Sequence, residues 1–424
     1  MLQVKYIIEN KDLVIEKLKV KNFDGQDIIN EIVNLDVERR RIQKLQDDKQ
    51  NEMNVISKEI GQLFKEGRKQ EAEDAKNRTA EIKQEIKDLV QNLADTEKAL
   101  EEKLVQVPNL PHSSVNQGKT AEDNETVKTG GDMPSLSANA VPHWDLASKF
   151  DIIDFELGNK ITGSGFPLYK GKGSKLQRAL INFFLDEAQS AGYIEVMPPL
   201  MVNEDSAFAT GQLPDKEGQM YAMKEDPFYM IPTAEVPVTN IYRDVILSAS
   251  DFPVKNTAYS PCFRREAGSY GKDVRGLNRL HQFDKVEIVQ IAHPDKSYNV
   301  LDEMVAHVEG LVKKLGLPYR ILRLCGGDMS FTSALTYDFE VYAAAQNKWL
   351  EVSSVSNFEA YQANRLKVRF KDESQKKNQL AHTLNGSALA LPRIVAALLE
   401  NNQTDKGIKI PECLVKYTGF DVID

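Results

Sequence analysis

The chain has 424 residues, enough for two or three domains rather than one. Hydrophobic residues make up 41% and charged residues 28%, the balance of a globular protein, and no apolar run approaches the ~20 residues that a membrane-spanning helix needs. A net charge of −9 and a pI near 5.4 supply no general basic surface for nucleic acid, although a local basic stripe is compatible with an acidic whole.

The first twenty residues, MLQVKYIIENKDLVIEKLKV, lack the basic n-region, apolar stretch and small-residue cleavage site of a secretory signal. Cys262, Cys325 and Cys413 are odd in number and far apart, with no Cys-x-x-Cys pair. That spacing argues against a disulfide framework and against a cysteine zinc site. A cytoplasmic enzyme is the expectation.

Residues 27–104 contain no proline and are rich in Glu, Lys, Gln, Asp, Ile and Leu, which favour long helices. Ile28, Leu35, Ile42, Ile56 and Leu63 keep a sevenfold spacing that Lys49 breaks. Ile82, Ile86, Leu89, Leu93 and Leu100 follow at heptad-like spacing. Gly61 and Lys65-Glu66-Gly67-Arg68 interrupt the pattern and predict a reversal. The reading is an antiparallel helical hairpin, each helix roughly 35 residues and about 50 Å long. Two such helices bury little between them, so the hairpin is expected to project as an arm. Its basic residues, Arg39, Arg40, Arg41, Lys58 and Arg68 among them, alternate with acids and on their own suit a solvated or dimerising face as well as an RNA grip.

From Pro108 to about Val141 the chain turns polar and punctuated, as a linker does. The domain bounds are therefore 1–110, a linker over 111–140, and a body over 141–424. Lys175 to Ala191 has helical periodicity and is followed by a strand-like run ending in Pro198-Pro199. Phe228 to Ile231 reads as a strand leading into Pro232-Thr233-Ala234-Glu235, with Thr233 and Glu235 expected on one strand face. Tyr259 to Glu266 and His281 to Ile291 read as two strands joined by a loop containing Gly268, Gly271 and Gly276. Alternation groups Arg279, Phe283 and Glu287, and separately Arg264 and Glu266. Guanidinium forks match phosphate oxygens, a ring stacks on a base, and carboxylates receive an ammonium. Glu351-Val352-Ser353-Ser354 ends a further strand-like run; simple alternation pairs Glu351 with Ser353. Finally His382 to Arg393 precedes an apolar helical run, with Pro392 suited to a first helical turn.

The stretch FRREAGSYGKDVRGLNRLHQFDKVE, residues 263–287, closely resembles motif 2 of the class II aminoacyl-tRNA synthetases in the form typical of seryl-tRNA synthetases of bacterial type. The helix and strand before Pro199 resemble motif 1, residues 382–393 resemble motif 3, and Thr233-Ala234-Glu235 resembles the family's serine-recognition loop. Ala388 and Pro392 stand where the family more often has glycines, and a β-carbon at 388 is expected to narrow the space near the ligands. The resemblance implies an α+β fold: an N-terminal antiparallel coiled-coil hairpin plus a class II catalytic domain, an antiparallel sheet flanked by helices, working as a homodimer. It implies ATP-dependent serine activation and transfer to tRNA(Ser), with tRNA(Sec) an open alternative, and neither membrane nor DNA as partner.

The implied serine residues are Thr233, Ala234, Glu235, Glu287 and Ser387. The implied ATP residues are Arg264, Arg265, Glu266, Arg279, Phe283, Glu351, Val352, Ser353, Ser354 and Arg393. Arg264 and Arg393 are implied to be catalytic, and Glu351 with Ser354 to hold Mg²⁺ through ATP. Two other readings are a non-catalytic relative that binds tRNA or a carrier protein, and a coiled-coil interaction protein with an unrelated body. Both are disfavoured by the joint presence of Arg264, Glu266, Glu287, Glu351 and Arg393 in ordered motifs.

Overall fold

The computed structural model describes residues 1–215, 217–266, 275–372 and 377–424, so Gly268 and Gly271 lie outside the described residues. The chain divides into two compact units, residues 1–19 with 23–108, and residues 20–22 with 109–424.

The first unit is helical. Helices α1 (Val4–Glu9) and α2 (Lys11–Val20) precede α3 (Gln26–Lys65) and α4 (Lys69–Leu104), which are 40 and 36 residues long. The long helices run antiparallel in one register: Lys103 pairs with Glu31, and Lys49 with Glu85 at 2.6 Å. Ile42, Leu63, Ile82 and Leu100 are buried along their seam, as the heptad row requires. At the base Ile29 and Ile32, rather than Ile28, are fully buried, because α1 packs against α3 there and Leu18 of α2 closes beside Ile29 at Gly25. The reversal falls at Glu66 to Arg68, with Gly67 at φ +76°. Gly61 lies inside α3 facing open space and does not interrupt it.

The second unit is built on an eight-stranded sheet. Its strands are β1 (Glu125–Gly130), β2 (Ile194–Glu195), β3 (Val254–Phe263), β4 (Gln282–Ala292), β5 (Tyr319–Arg323), β6 (Leu335–Ala343), β7 (Lys348–Asn357) and β8 (His382–Ala390). Their order is β1-β5-β6-β7-β8-β4-β3-β2, antiparallel throughout except for the short β2–β3 pair. β1 falls inside the stretch expected to be a linker. It is an edge strand exposed up to Gly130, so no buried face leaves an alternation in the sequence, and only its pairing with β5 reveals it.

The helices that bear on the site are α5 (Gly171–Ser190), α6 (Glu204–Thr210), α7 (Glu235–Asn240), α8 (Ser297–Lys314), α9 (Ala360–Leu366) and α10 (Leu391–Asn401). Phe184 of α5, Met304 of α8 and Leu398 of α10 share one apolar core with Val286, Ile288, Phe339 and Val352 of the sheet. Strand alternation then turns Phe283, Lys285 and Glu287 of β4 away from Val286 and Ile288. That second face carries the site. Among the described residues no helix is long and apolar enough to cross a membrane.

Candidate active site

A cavity of about 580 Å³ opens on that face, within the usual range for small-molecule sites. β4, β7 and β8 form its floor through Phe283, Lys285 and Glu287, Glu351 to Ser354, and Asn385 and Ser387, while β3 backs β4, with Ala258 opposite Glu287 and Cys262 opposite Phe283. β3 ends at Phe263 and β4 begins at Gln282, so Arg264, Glu266 and Arg279 lie beyond the strands rather than on their faces. The cavity still collects Arg264, Glu266, Arg279, Phe283 and Glu287. The pairing continues one step past the strand ends, the Arg264 N–H donating to the His281 carbonyl at 2.9 Å. Glu266 takes a positive φ of +46° and its carboxylate meets Arg279 Nε at 2.5 Å. The Arg264 guanidinium stands 5.2 Å over the centre of the Phe283 ring, a cation–π distance. Arg265 does not line the cavity; its N–H donates to the Gln219 carbonyl.

At another part of the wall, Thr233 and Glu235 do not share a strand. The strand there stops at Met230 and Glu235 is the first residue of α7. The Glu235 N–H donates to Thr233 Oγ1 at 3.2 Å, a local hydroxyl–backbone bond that favours a turn over extended chain. Ala234 is fully buried and is not part of the cavity wall. Lys285 Nζ lies 2.5 Å from Glu287 Oε2 and 2.9 Å from Thr233 Oγ1. Ser387 stands directly across β8–β4 from Glu287, and its carbonyl accepts from Ser353 Oγ at 2.6 Å. Two buried carboxylates against one ammonium leave a negative charge that an added ligand ammonium would balance.

Burial, then the charge of Glu287, push Glu235 up to about 7, against a hydrogen bond from Gln362 Nε2 at 2.6 Å. Because this value exceeds the ordinary 4.5, the folded state holds the proton more tightly. The group's contribution to stability is therefore present at low pH and lost as pH rises through that window. For an amine ligand the sign is opposite. Below about pH 7 the cation must displace the proton, so affinity should fall about tenfold per unit of acidification, with proton release on binding. Calorimetry in buffers of different ionisation enthalpy reads both; affinity constant from pH 5.5 to 8 would exclude Glu235 as the ammonium's partner.

β7 carries a bulge. Glu351 pairs with Glu340 but Ser353 pairs with Phe339, leaving Val352 as an extra residue. The bulge shifts the alternation by one and brings Glu351 and Ser354, not Glu351 and Ser353, onto a common face. Val352 and Ser353 line the cavity beside them. Asp338 stands opposite Ser354. Burial, and next the charge of Glu351, hold its carboxyl well above the usual carboxylate range, and its Oδ1 is buried with no hydrogen-bond partner among the described residues. Such an orphaned oxygen fits a nearby hard cation. Among the described residues no cluster of three or more His, Cys, Asp or Glu forms a cage. Mg²⁺, which keeps waters and takes phosphate oxygens, needs none.

Arg393 leaves the first turn of α10 into the cavity, donating from Nε to the Asn278 carbonyl at 2.9 Å and from Nη1 to the Glu351 carbonyl at 2.7 Å. Ala388 packs in the apolar core and does not narrow the cavity, whereas Pro392 lines it. Ala388 faces away from the cavity by alternation with Ser387, and a bulge between Ser387 and Ala390 then puts Ala390 opposite Lys285 on the cavity side.

Sequence reasoning missed Lys285, Gln362, Thr332 and Asn385. Lys285 was within reach, since it alternates with Phe283 and Glu287 on β4. Gln362, which takes Thr383 Oγ1 at 2.7 Å and donates to Thr210 O and Glu235, reaches the site from α9 and leaves no periodic signal.

Residues 1–111 match the model of the seryl-tRNA synthetase N-terminal domain, and residues 220–402 that of the tRNA synthetase class II core domain (G, H, P, S and T). Over 422 residues the chain is 51% identical to a serine–tRNA ligase of Salinibacter ruber, covering 99% of this chain and 98% of that protein. The chain belongs to the seryl-tRNA synthetase family. A serine–tRNA ligase of Prosthecochloris aestuarii is 45% identical over 429 residues, 100% of this chain and 99% of that one. The solved seryl-tRNA synthetase of Pyrococcus horikoshii, complexed with ATP, superposes with a TM-score of 0.92 at 33% identity, over 100% of this chain and 99% of that chain. The α+β architecture expected of a seryl-tRNA synthetase, helical hairpin followed by antiparallel catalytic sheet, is the one observed.

Proposed function

We propose that this seryl-tRNA synthetase activates L-serine with ATP and transfers the seryl group to tRNA(Ser), with tRNA(Sec) a second acceptor to be tested. The observation that carries the reading is the buried Thr233–Glu235–Lys285–Glu287 set, faced by Ser387, sharing one cavity with Arg264 and Arg393. Glu235 and Thr233 receive the α-ammonium, while Glu287 and Ser387 receive the hydroxyl. A serine carboxylate oxygen attacks the α-phosphorus of ATP and pyrophosphate leaves. The terminal ribose hydroxyl of the tRNA then attacks the carbonyl carbon and gives up its proton, while the bond from that carbon to the phosphate oxygen breaks and AMP leaves with its electron pair.

Neither step needs a protein nucleophile. Arg264 and Arg393 orient the phosphates and stabilise the charge that develops on them. Phe283 offers a ring to adenine, Glu266 accepts from its amino group, and Arg279 sits near the phosphates. Val352 and Ser353 complete the nucleotide's surroundings, and Ala234 shapes the serine loop from behind. Mg²⁺, held by Glu351 and Ser354 with Asp338 nearby, would supply neutralising charge to the phosphate oxygens.

The chain acts as a homodimer through the edge strand β2, where Ile194 and Met197 are 68% and 90% exposed beside Leu200 and Met201. Apolar side chains massed on an unpaired edge favour a second copy. The hairpin holds the tRNA, and the cytoplasm is the place of work.

The deciding experiment is amino-acid-dependent ATP–pyrophosphate exchange across the twenty amino acids. Exchange with serine alone is the expected result. Exchange with another amino acid would replace the substrate, and none at all would return the chain to a non-catalytic tRNA or carrier-protein binder.

A further inference from the structure

A second polar cluster lies outside the cavity wall. His143 and Glu400 are both 0% exposed, with Nδ1 of the ring 2.8 Å from Glu400 Oε1. The other ring nitrogen, Nε2, accepts the Leu277 N–H at 2.9 Å. A backbone N–H can only donate, so the ring proton sits on Nδ1 and goes to the carboxylate.

Among the described residues the Glu400 carboxylate accepts five hydrogen bonds: from the His143 N–H and ring, from the Ala345 and Gln346 N–H groups, and from Gln346 Nε2 at 2.7 Å. Gln346 Oε1 in turn accepts from Asn278 Nδ2 at 2.8 Å. The turn before Leu277 is moulded on the imidazole: Gly276 has φ +65°, and an added Cβ would come within 2.3 Å of His143 Nε2. The last link reaches the chemistry, because the Asn278 carbonyl receives Arg393 Nε at 2.9 Å, and Leu277 and Asn278 both line the cavity.

We infer that His143 and Glu400 are positioning residues for amino-acid activation: they fix the Gly276–Asn278 turn and, through the Asn278 carbonyl, the direction of the Arg393 guanidinium. The bland alternative is a buried pair that only stabilises the fold. The two differ in which step they touch. A general loss of stability damages every activity, whereas a misdirected Arg393 damages the step in which charge develops on the α-phosphate.

The inference rests on the serine-activation reading, and wild-type exchange is the control that separates them: no exchange in the wild type rejects that reading, not this network. In the full-length protein, His143→Phe should lower kcat for serine-dependent exchange by about 30-fold or more, with serine KM and transfer from chemically prepared seryl-adenylate within about threefold. His143→Gln, whose amide oxygen can meet the Leu277 N–H, should recover exchange to within about fivefold of wild type. Exchange by His143→Phe within threefold of wild type, or an equal fall in exchange and transfer, would overturn the inference. If His143→Phe does not fold, Gln346→Ala carries the test, since it cuts the link to Asn278 and leaves the His143–Glu400 pair. It should lower exchange selectively by about threefold to tenfold, and unchanged exchange would overturn the inference.

Discussion

Glu287→Ala is expected to lower kcat/KM for serine activation at least ~100-fold while the protein stays folded and its KM for ATP changes little. Glu287 is 2% exposed and shares Lys285 with Thr233. Removing it leaves a buried ammonium with one fewer carboxylate, and the serine hydroxyl loses its acceptor. A polar pocket rejects an analogue lacking its partner group because its own atoms go unpaired; the variant creates the same mismatch from the protein's side. Lys285 can still turn its charge toward Thr233 and Glu235, which is why the fold survives with a lowered melting temperature. Exchange kinetics against serine concentration, with ATP fixed and then varied, separate the two substrates. Activation within about tenfold of wild type, a loss under ~1.4 kcal/mol, would place the serine pocket elsewhere.

Shortening the hairpin should produce the opposite pattern: transfer to tRNA collapses while serine-dependent exchange stays near normal. Every residue assigned to ATP and serine lies in the second unit. The base of the hairpin must be kept, because Ile29, Ile32, Leu100 and Leu104 are buried there and their loss would expose Ile7, Val14 and Leu18. Further out, no residue of α3 between Ile42 and Leu63 is buried. Exposed pairs such as Arg78–Glu52 and Lys49–Glu85 line that part instead, each worth roughly 0–1 kcal/mol. Replacing residues 46–88 by a short Gly/Ser linker respects the observed register and takes out Leu63, Ala72 and Ile82, which are buried within the hairpin, while leaving Ile29, Ile32, Leu100 and Leu104 of the base in place. Affinity for tRNA in the intact protein should fall with added salt, and the shortened form should show a shallower slope, having lost cationic contacts to phosphate. Equal loss of exchange and transfer in a protein that has become monomeric would assign the hairpin to dimerisation.

Much of this was written locally. The heptad rows of residues 27–104 specify two antiparallel helices because sevenfold spacing puts one stripe of Ile and Leu on a single face, whatever else the chain does. The alternation of β4 sorts Phe283 and Glu287 from Val286 and Ile288 for the same kind of reason, and it would have yielded Lys285 too. That Arg264 and Glu266 share a site with Ser387 and Arg393 was implied by the resemblance to the family's motifs, and the one cavity collects all four.

Tertiary structure alone decided the rest, wherever a position depends on a partner distant in sequence. The Val352 bulge exists only as a mismatch between β7 and β6, so spacing within Glu351-Val352-Ser353-Ser354 could not show which serine joins the glutamate. Thr233 and Glu235 looked like one strand face until the entry of α7 turned the chain, and β1 hid in a polar stretch because an exposed edge needs no alternation. Ala390 reached the cavity side only through a bulge against β4. His143 and Glu400, 257 residues apart, carry no shared pattern at all. Periodicity records which side of an element faces the core; it does not record which two elements meet, and the fine geometry of this site is made of such meetings.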